Sequence, residues 1–424
     1  MAITVFKFGG ASVRDAASVK NVLTLLQKQR FEKLVLIISA MGKTTNALEQ
    51  LFYAFVEGKN ITSFYEQVYS FHFQIISKLF DKTKDEKLYT SLDALFSSLL
   101  EKLHQPYDGQ FNKWYDQIVH YGELFSSLIL YHYLLKQGLN VAFLSALDCI
   151  YTDNAFREGN VQWEKTCEAI RHFVLPAFEL HDIVISQGFI GQSESGDPIT
   201  LGREGSDYTA AIFAYALDAD SLTIWKDVPG VMNADPKHIP QAVPIPHLSF
   251  KETVELAYYG ASVIHPKTLK PLQNKKIPLY VRSFIDPSLP GTRIDEHPDE
   301  IYLPFYIIKS NQVLMSFFPK DFSFVDESNL SAIFDVLARH HVKIRLMENT
   351  ALSFSICFDY DPFKLDFILK ELSLKFTIKY NHPLELITVR HYQPEMTLEH
   401  LIKNRKIYLE QKTRVTWHIL VKEV

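Results

Sequence analysis

The segment TLGREGSDYTAA (residues 200–211) sets an arginine, a glutamate, a serine and an aspartate among glycines, just ahead of an apolar run. Arg203, flanked by Gly202 and Gly205, suits bidentate capture of a carboxylate or phosphate. Ser206 reads as a helix N-cap and Asp207 as an acid in the first helical turn. Glu204 fits less easily, because a carboxylate beside phosphates is repelled. The expected arrangement turns only its backbone N–H to a ligand, with the side chain directed to solvent or a lysine. KFGGASV (7–13) joins a strand-like run to a helix-like run through paired glycines. Such a turn lets the backbone approach a ligand at a helix N-terminus, and Lys7 adds a point charge for phosphate. The same spacing equally serves a plain tight turn.

SAMGKTTN (39–46) offers Ser39, Thr44 and Thr45 at a helix start. It is not a P-loop, because the position that needs the first glycine is Ile37. Glu123, in YGE, opens another helix, where an acid complements the helix dipole. WKDVPGVMNADPK (225–237) places Pro229-Gly230 in a type II turn at a strand end, close to Lys226, Asp227, Met232 and Lys237. In α/β sheets, ligands bind at the carboxyl ends of strands.

The elements that must position these residues alternate. ITVFKF, KLVLIIS, NVAFLSA, DIVISQGFIG, SLTIWKD and IPLYVRS read as strands separated by helical runs, which predicts an α/β fold on a mainly parallel sheet. The first helix is expected to open with a capping box, Ser12 and Asp15. Residues 46–136 keep helical spacing without a convincing strand and read as a helical insertion. The polar DEHPDE (295–300) divides a first domain, 1–296, from a second, 297–424. In the second, NQVLMSFF, ESNLSAIFDVLARHH, VKIRLMEN, ALSFSICF, DPFKLDFILKELSL and FTIKY give βαββαβ, the ferredoxin-like order, over about 311–381. LELITVRHY and TRVTWHILVK then form a degenerate second unit.

Composition limits the function classes. The chain has 424 residues, 47% hydrophobic and 22% charged, which suits two or three folded domains. A net charge of -5 with no basic run argues against nucleic-acid binding. Cys149, Cys167 and Cys357 are too few and too scattered for a disulfide framework or a zinc site. No signal peptide or membrane span is read, so a cytoplasmic location is expected.

Taken together, KFGGAS, GREGSDYTA, DVPGVMNADPK, ELAYYGASVIHP and the closing PGT of VRSFIDPSLPGTRI resemble the aspartokinase family of the amino-acid kinase superfamily. These motifs stand in the family's order over residues 5–294, and the βαββαβ unit is similar to its ACT regulatory domains. The resemblance implies an amino-acid-kinase-like sandwich followed by an ACT-like α+β domain. It implies ATP- and Mg²⁺-dependent phosphorylation of the L-aspartate side chain, the entry to lysine, threonine and methionine synthesis. It also implies a homodimer through the ACT-like region. A non-catalytic amino-acid sensor on the same fold is the alternative. Carried over by position, Lys7 neutralises the transferring phosphoryl group and Asp207 orients substrate and Lys7. Arg203 grips the substrate α-carboxylate, Glu123 meets its ammonium, and Ser39, Thr45 and Ser206 position it. Phe8, Gly9, Gly10, Lys226, Asp227, Met232, Lys237, Ser262 and Val263 line the nucleotide site with Lys7. No protein ligand for the metal is implied. Met232 stands where the family has tyrosine, and Ser262 where it has lysine. FPKDFSFVDESN lacks the glycine common after the first ACT strand, so conventional control by lysine or threonine is not expected.

Overall fold

The computed structural model describes residues 1–261, 264–298, 303–321, 323–393 and 399–423. The chain divides into two compact units. The first holds 1–231, 244–257 and 263–299; the second holds 232–243, 258–262 and 300–424.

The first unit is built on runs of branched and aromatic residues whose side chains are buried along nearly the whole strand, as in sheets covered on both faces. Its strands are β1 (Ile3–Phe8), β2 (Lys33–Ile38), β3 (Val141–Phe143), β4 (Ile183–Gln187), the hairpin β5 (Ile190–Gln192) and β6 (Pro198–Thr200), β7 (Ser221–Lys226), β8 (His247–Ser249), β9 (Leu279–Ser283) and β10 (Thr292–Asp295). The eight-stranded sheet runs β3-β4-β2-β1-β7-β9-β10-β8. Every pair in it is parallel except β9 with β10.

Helices α1 (Ala16–Lys28), α2 (Thr44–Val56), α3 (Thr62–Leu79), α4 (Glu86–Leu103), α5 (Phe111–Val119), α6 (Tyr121–Lys136), α7 (Ala146–Cys149), α8 (Trp163–Leu180), α9 (Gly205–Ala216), α10 (Phe250–Tyr259) and α11 (Pro266–Lys275) complete the order. Five of them, α2–α6, follow β2 without a strand between them, and Phe52, Phe96 and Phe125 fill their core. No described helix is long and apolar enough to cross a membrane.

Two helix starts differ from the expected caps. The N-cap of α1 is Asp15, which accepts the N–H of Ser18 at 2.7 Å, while Ser12 lies in a preceding 3₁₀ turn and donates to the Trp225 carbonyl at 3.4 Å. Helix α9 begins at Gly205, so Ser206 is already inside the first turn. Its N-cap is Glu204, in a left-handed conformation (φ 55°, ψ 29°) that gives the side chain no capping geometry.

In the second unit, β11 (Phe305–Pro319), α12 (Glu327–Arg339), β12 (Ile344–Asn349), β13 (Phe354–Asp359), α13 (Pro362–Leu372) and β14 (Phe376–Arg390) form the βαββαβ order with strands β12-β13-β11-β14. A short α14 (Glu399–Ile402) and strands β15 (Arg405–Lys412) and β16 (Thr416–Glu423) extend this antiparallel sheet beyond β14. FTIKY and LELITVRHY, read as separate strands, are one strand of 15 residues. It pairs with β11 over nearly all its length, through a register shift near Asn311, whose φ is 60°.

Candidate active site

Strand alternation decides what β1 presents. Phe6 and Phe8 both pack on Trp225, with ring centroids at 5.6 and 6.1 Å. Lys7 therefore points to the other face of the sheet. There α9 supplies Asp207, whose carboxylate is 2.6 Å from the Lys7 ammonium and 3.8 Å from that of Lys226 at the end of β7. All three neighbouring strands are parallel, so Lys7 and Lys226 emerge at the same carboxyl edge.

The turn after β1 is pressed against the turn after β2. A Cβ on Gly10 would lie 2.7 Å from the Ala40 carbonyl oxygen and 2.8 Å from that of Gly42, so only glycine fits there without a shift of backbone. The N–H of Ser39 donates to the Phe8 carbonyl, and that of Gly42 to the Gly10 carbonyl. Gly188, after β4, approaches α9 as closely: a Cβ there would lie 2.5 Å from the Ser206 Cβ.

These turns enclose a cleft of about 370 Å³. Lys7, Gly9, Gly10, Ser39, Thr45, Glu123, Ser206, Asp207, Lys226 and Asp227, all expected from the sequence, line it together. Phe189, Trp225, Gly42 and Glu204 line it as well. Phe189 and Trp225 carry no motif in the sequence that marks them for the cleft. Their signal was position alone, each standing within two residues of a strand's carboxyl end.

Other expected residues stand apart. Phe8 is fully buried against Trp225, on the face away from Lys7, so its side chain is a core residue and does not line the cleft. Arg203 is exposed between Gly202 (φ 77°) and Glu204 and is not among the lining residues. Met232 and Lys237 lie in the second compact unit. Ser262 and Val263 lie outside the described residues.

The electrostatics divide the cleft into a charged end and a neutral wall. Burial alone would push the Asp207 carboxyl up, but the ammonium groups of Lys7 and Lys226 outweigh it and hold the group below its usual value. Asp207 is thus a carboxylate with two cations. Glu123 behaves oppositely. Its helix, α6, carries it into the interior at 2% exposure, and burial pushes its carboxyl up to about 8, against the opposing pull of the Ala40 N–H and Lys7. One oxygen accepts the Ala40 N–H at 3.2 Å; the other is buried without a protein partner. A buried carboxyl beside a cleft, with one oxygen left unpartnered, is suited to a cationic ligand.

The N-terminus of α9 offers the complementary feature. Neither the N–H nor the hydroxyl of Ser206 has a hydrogen-bond partner among the described residues, so both are available to an anion at a helix N-terminus. Glu204 keeps its carboxylate engaged elsewhere: Oε2 accepts the backbone N–H of His265 at 3.0 Å. Its partner is therefore a backbone donor, in place of the expected solvent or lysine. No group of three His, Cys, Asp or Glu side chains among the described residues could hold a metal ion.

The model of the Amino acid kinase family matches residues 2–283. The chain is 28% identical over 404 residues to lysine-sensitive aspartokinase 3 of Escherichia coli K12, covering 91% of this chain and 86% of that protein. It is 32% identical over 367 residues to chloroplastic aspartokinase 1 of Arabidopsis thaliana, covering 81% of this chain and 62% of that one. The crystal structure of E. coli aspartokinase III in complex with aspartate and ADP superposes with a TM-score of 0.82 at 26% identity, over 99% of this chain and 96% of that one.

Proposed function

The chain belongs to the amino acid kinase family, and from that membership and the cleft we infer that it is an aspartate kinase. It transfers the γ-phosphoryl group of ATP to the side-chain carboxylate of L-aspartate, giving 4-phospho-L-aspartate and ADP. The observation that carries this reading is the opposition of two elements within one cleft. Lys7 and Lys226 converge on Asp207, and Glu123 keeps a bare buried oxygen.

The chemistry asks little of a base. An aspartate side chain is ionised at neutral pH, so an oxygen of the carboxylate attacks the γ-phosphorus and the bond to the β-phosphate oxygen breaks, with no proton to remove. The obstacle is repulsion between two anions, and catalysis is mainly positioning and charge neutralisation. In this reading Lys7 neutralises the transferring group, aimed by Asp207. The Ser206 N–H and hydroxyl hold phosphoryl or carboxylate oxygens, with Gly9 and Gly10 allowing close backbone approach. Glu123 receives the aspartate ammonium, while Ser39 and Thr45 position the substrate. Arg203 grips the α-carboxylate after its exposed side chain swings over the cleft. Lys226 and Asp227 face the nucleotide.

The donor set fits magnesium in its usual manner, through nucleotide phosphates and water with at most one or two carboxylates. Asp207 and Asp227 are the carboxylates within reach of that end of the cleft. The ion would offset charge on the phosphate oxygens. A homodimer through the second unit completes the proposal, supported by exposed apolar side chains on its helices, Phe334, Phe363 and Phe367.

The test is trapping of the acyl phosphate. Purified protein with ATP, Mg²⁺, aspartate and hydroxylamine should yield aspartyl hydroxamate, and glutamate should be a poor replacement. No hydroxamate above background would overturn the reading.

A further inference from the structure

Glu204 occupies a backbone conformation that glycine enters without steric penalty and glutamate does not (φ 55°, ψ 29°). The reason for a long acidic side chain at that corner must lie in what it touches. Its carboxylate accepts the N–H of His265, 61 residues further along the chain. His265 is the N-cap of α11, and its own ring accepts the N–H of Lys267. One carboxylate therefore joins the N-terminus of α9 to the N-terminus of α11, where the helix dipole favours negative charge.

Two consequences follow. The carboxylate is engaged by the His265 N–H and not by the Ser206 N–H, so the anion site at α9 keeps its positive character. The bond also ties the chain directly after Ser262 and Val263 to the residue next to that anion site. We propose that Glu204 is a positioning residue for the nucleotide, a latch that holds the α11 cap against the phosphate-binding corner and keeps its own charge off the phosphates. This rests on the aspartate kinase reading for the identity of the phosphate donor.

The variants are Glu204→Ala, Glu204→Gly and Glu204→Gln. Glycine suits the left-handed corner, so E204G folds even if E204A does not, and thermal unfolding checks both. Glutamine keeps an oxygen acceptor for the His265 N–H. The expected result is a KM for ATP raised about tenfold in E204A and E204G, as loss of a charge-assisted hydrogen bond predicts. The aspartate KM should stay put, kcat should fall less than about threefold, and E204Q should recover most of the loss. Calorimetric titration with Mg·ADP should show the same ranking of affinities. An unchanged or lower ATP KM in E204A and E204G would overturn the latch, as would equal loss in E204Q and E204A. If the wild-type protein made no hydroxamate, the kinase reading would fall, and the ADP titration would still decide the latch on its own.

Discussion

Replacing Glu123 by glutamine should raise stability and impair aspartate binding, both by amounts that follow from one buried carboxyl. In the folded protein its pKa is about 8, against 4.5 for an exposed glutamate. At pH 7 the free site is therefore about nine-tenths protonated. If the carboxylate must be ionised to receive the aspartate ammonium, the apparent KM for aspartate carries a factor of about 11 at pH 7 and about 100 at pH 6. Aspartate KM should then fall roughly fiftyfold between pH 6 and pH 8, with binding at pH 7 releasing about 0.9 proton to the buffer. ATP KM should not follow this course. In E123Q the aspartate KM should be higher at pH 8 and flat across the range.

The stability effect has the opposite sense. The folded pKa lies above the unfolded one, so Glu123 costs nothing below pH 4.5 and progressively more as pH rises toward 8. At pH 7 the cost is on the order of 3 kcal/mol, and E123Q should recover most of it in denaturant unfolding. Steady-state kinetics at fixed ionic strength, with calorimetry in two buffers of different ionisation enthalpy, measure the binding side. An aspartate KM that is flat in the wild type, or that keeps its slope in E123Q, would refute the assignment of Glu123 to the ammonium.

Lys7→Ala should lower kcat by about a hundredfold or more, the scale of losing one donor to transferring charge, with Asp207 still held by Lys226 in initial-rate hydroxamate assays. Arg203→Ala should raise the aspartate KM about tenfold with little change in kcat; the reverse split would exchange its role with that of Lys7. Gly10→Ala forces a Cβ against two carbonyl oxygens at 2.7 and 2.8 Å. It should lower stability by about 1–3 kcal/mol and lower activity with it, read by thermal unfolding and rate together.

The sequence made legible those features that depend on local pattern and motif order. Strand β1 with its paired glycines, the association of Asp207 with Lys7 that the family resemblance implies, and the βαββαβ order are legible there; the second cation on Asp207, Lys226, is not. What was not legible depends on orientation and on distant pairing. Phe8 is adjacent to Lys7 in sequence, yet the pleat sends it to the opposite face, against a tryptophan 217 residues away. Ser206 has the chemistry of an N-cap, but the left-handed turn at Glu204 starts the helix two residues earlier, and nothing in the local sequence specifies that φ. FTIKY and LELITVRHY look like two strands because polar residues and Pro383 separate them. Pairing with β11 on both sides of that break makes them one. Arg203 has no local structural role in its loop, and its exposed side chain does not declare a destination.

The cleft is organised to be nearly neutral until its ligands arrive. Asp207 is buried, and a buried carboxylate is tolerated only when paired; Lys7 and Lys226 supply that pairing and are in turn held as oriented cations. When a phosphoryl group enters, Lys7 can turn toward it while Asp207 retains Lys226, so the move exchanges one ion pair for another and strands no charge. Glu123 works by the converse device. In the proposed reaction it would wait as a neutral buried acid and become charged only when an ammonium group offsets the cost. Glu204, beside the anion site, is occupied by the His265 N–H. Of the four carboxyl groups that line the cleft, Glu123 carries a proton and Glu204 and Asp207 have partners, which lessens the repulsion that a poly-anionic nucleotide and an acidic amino acid would meet there; Asp227 is the fourth.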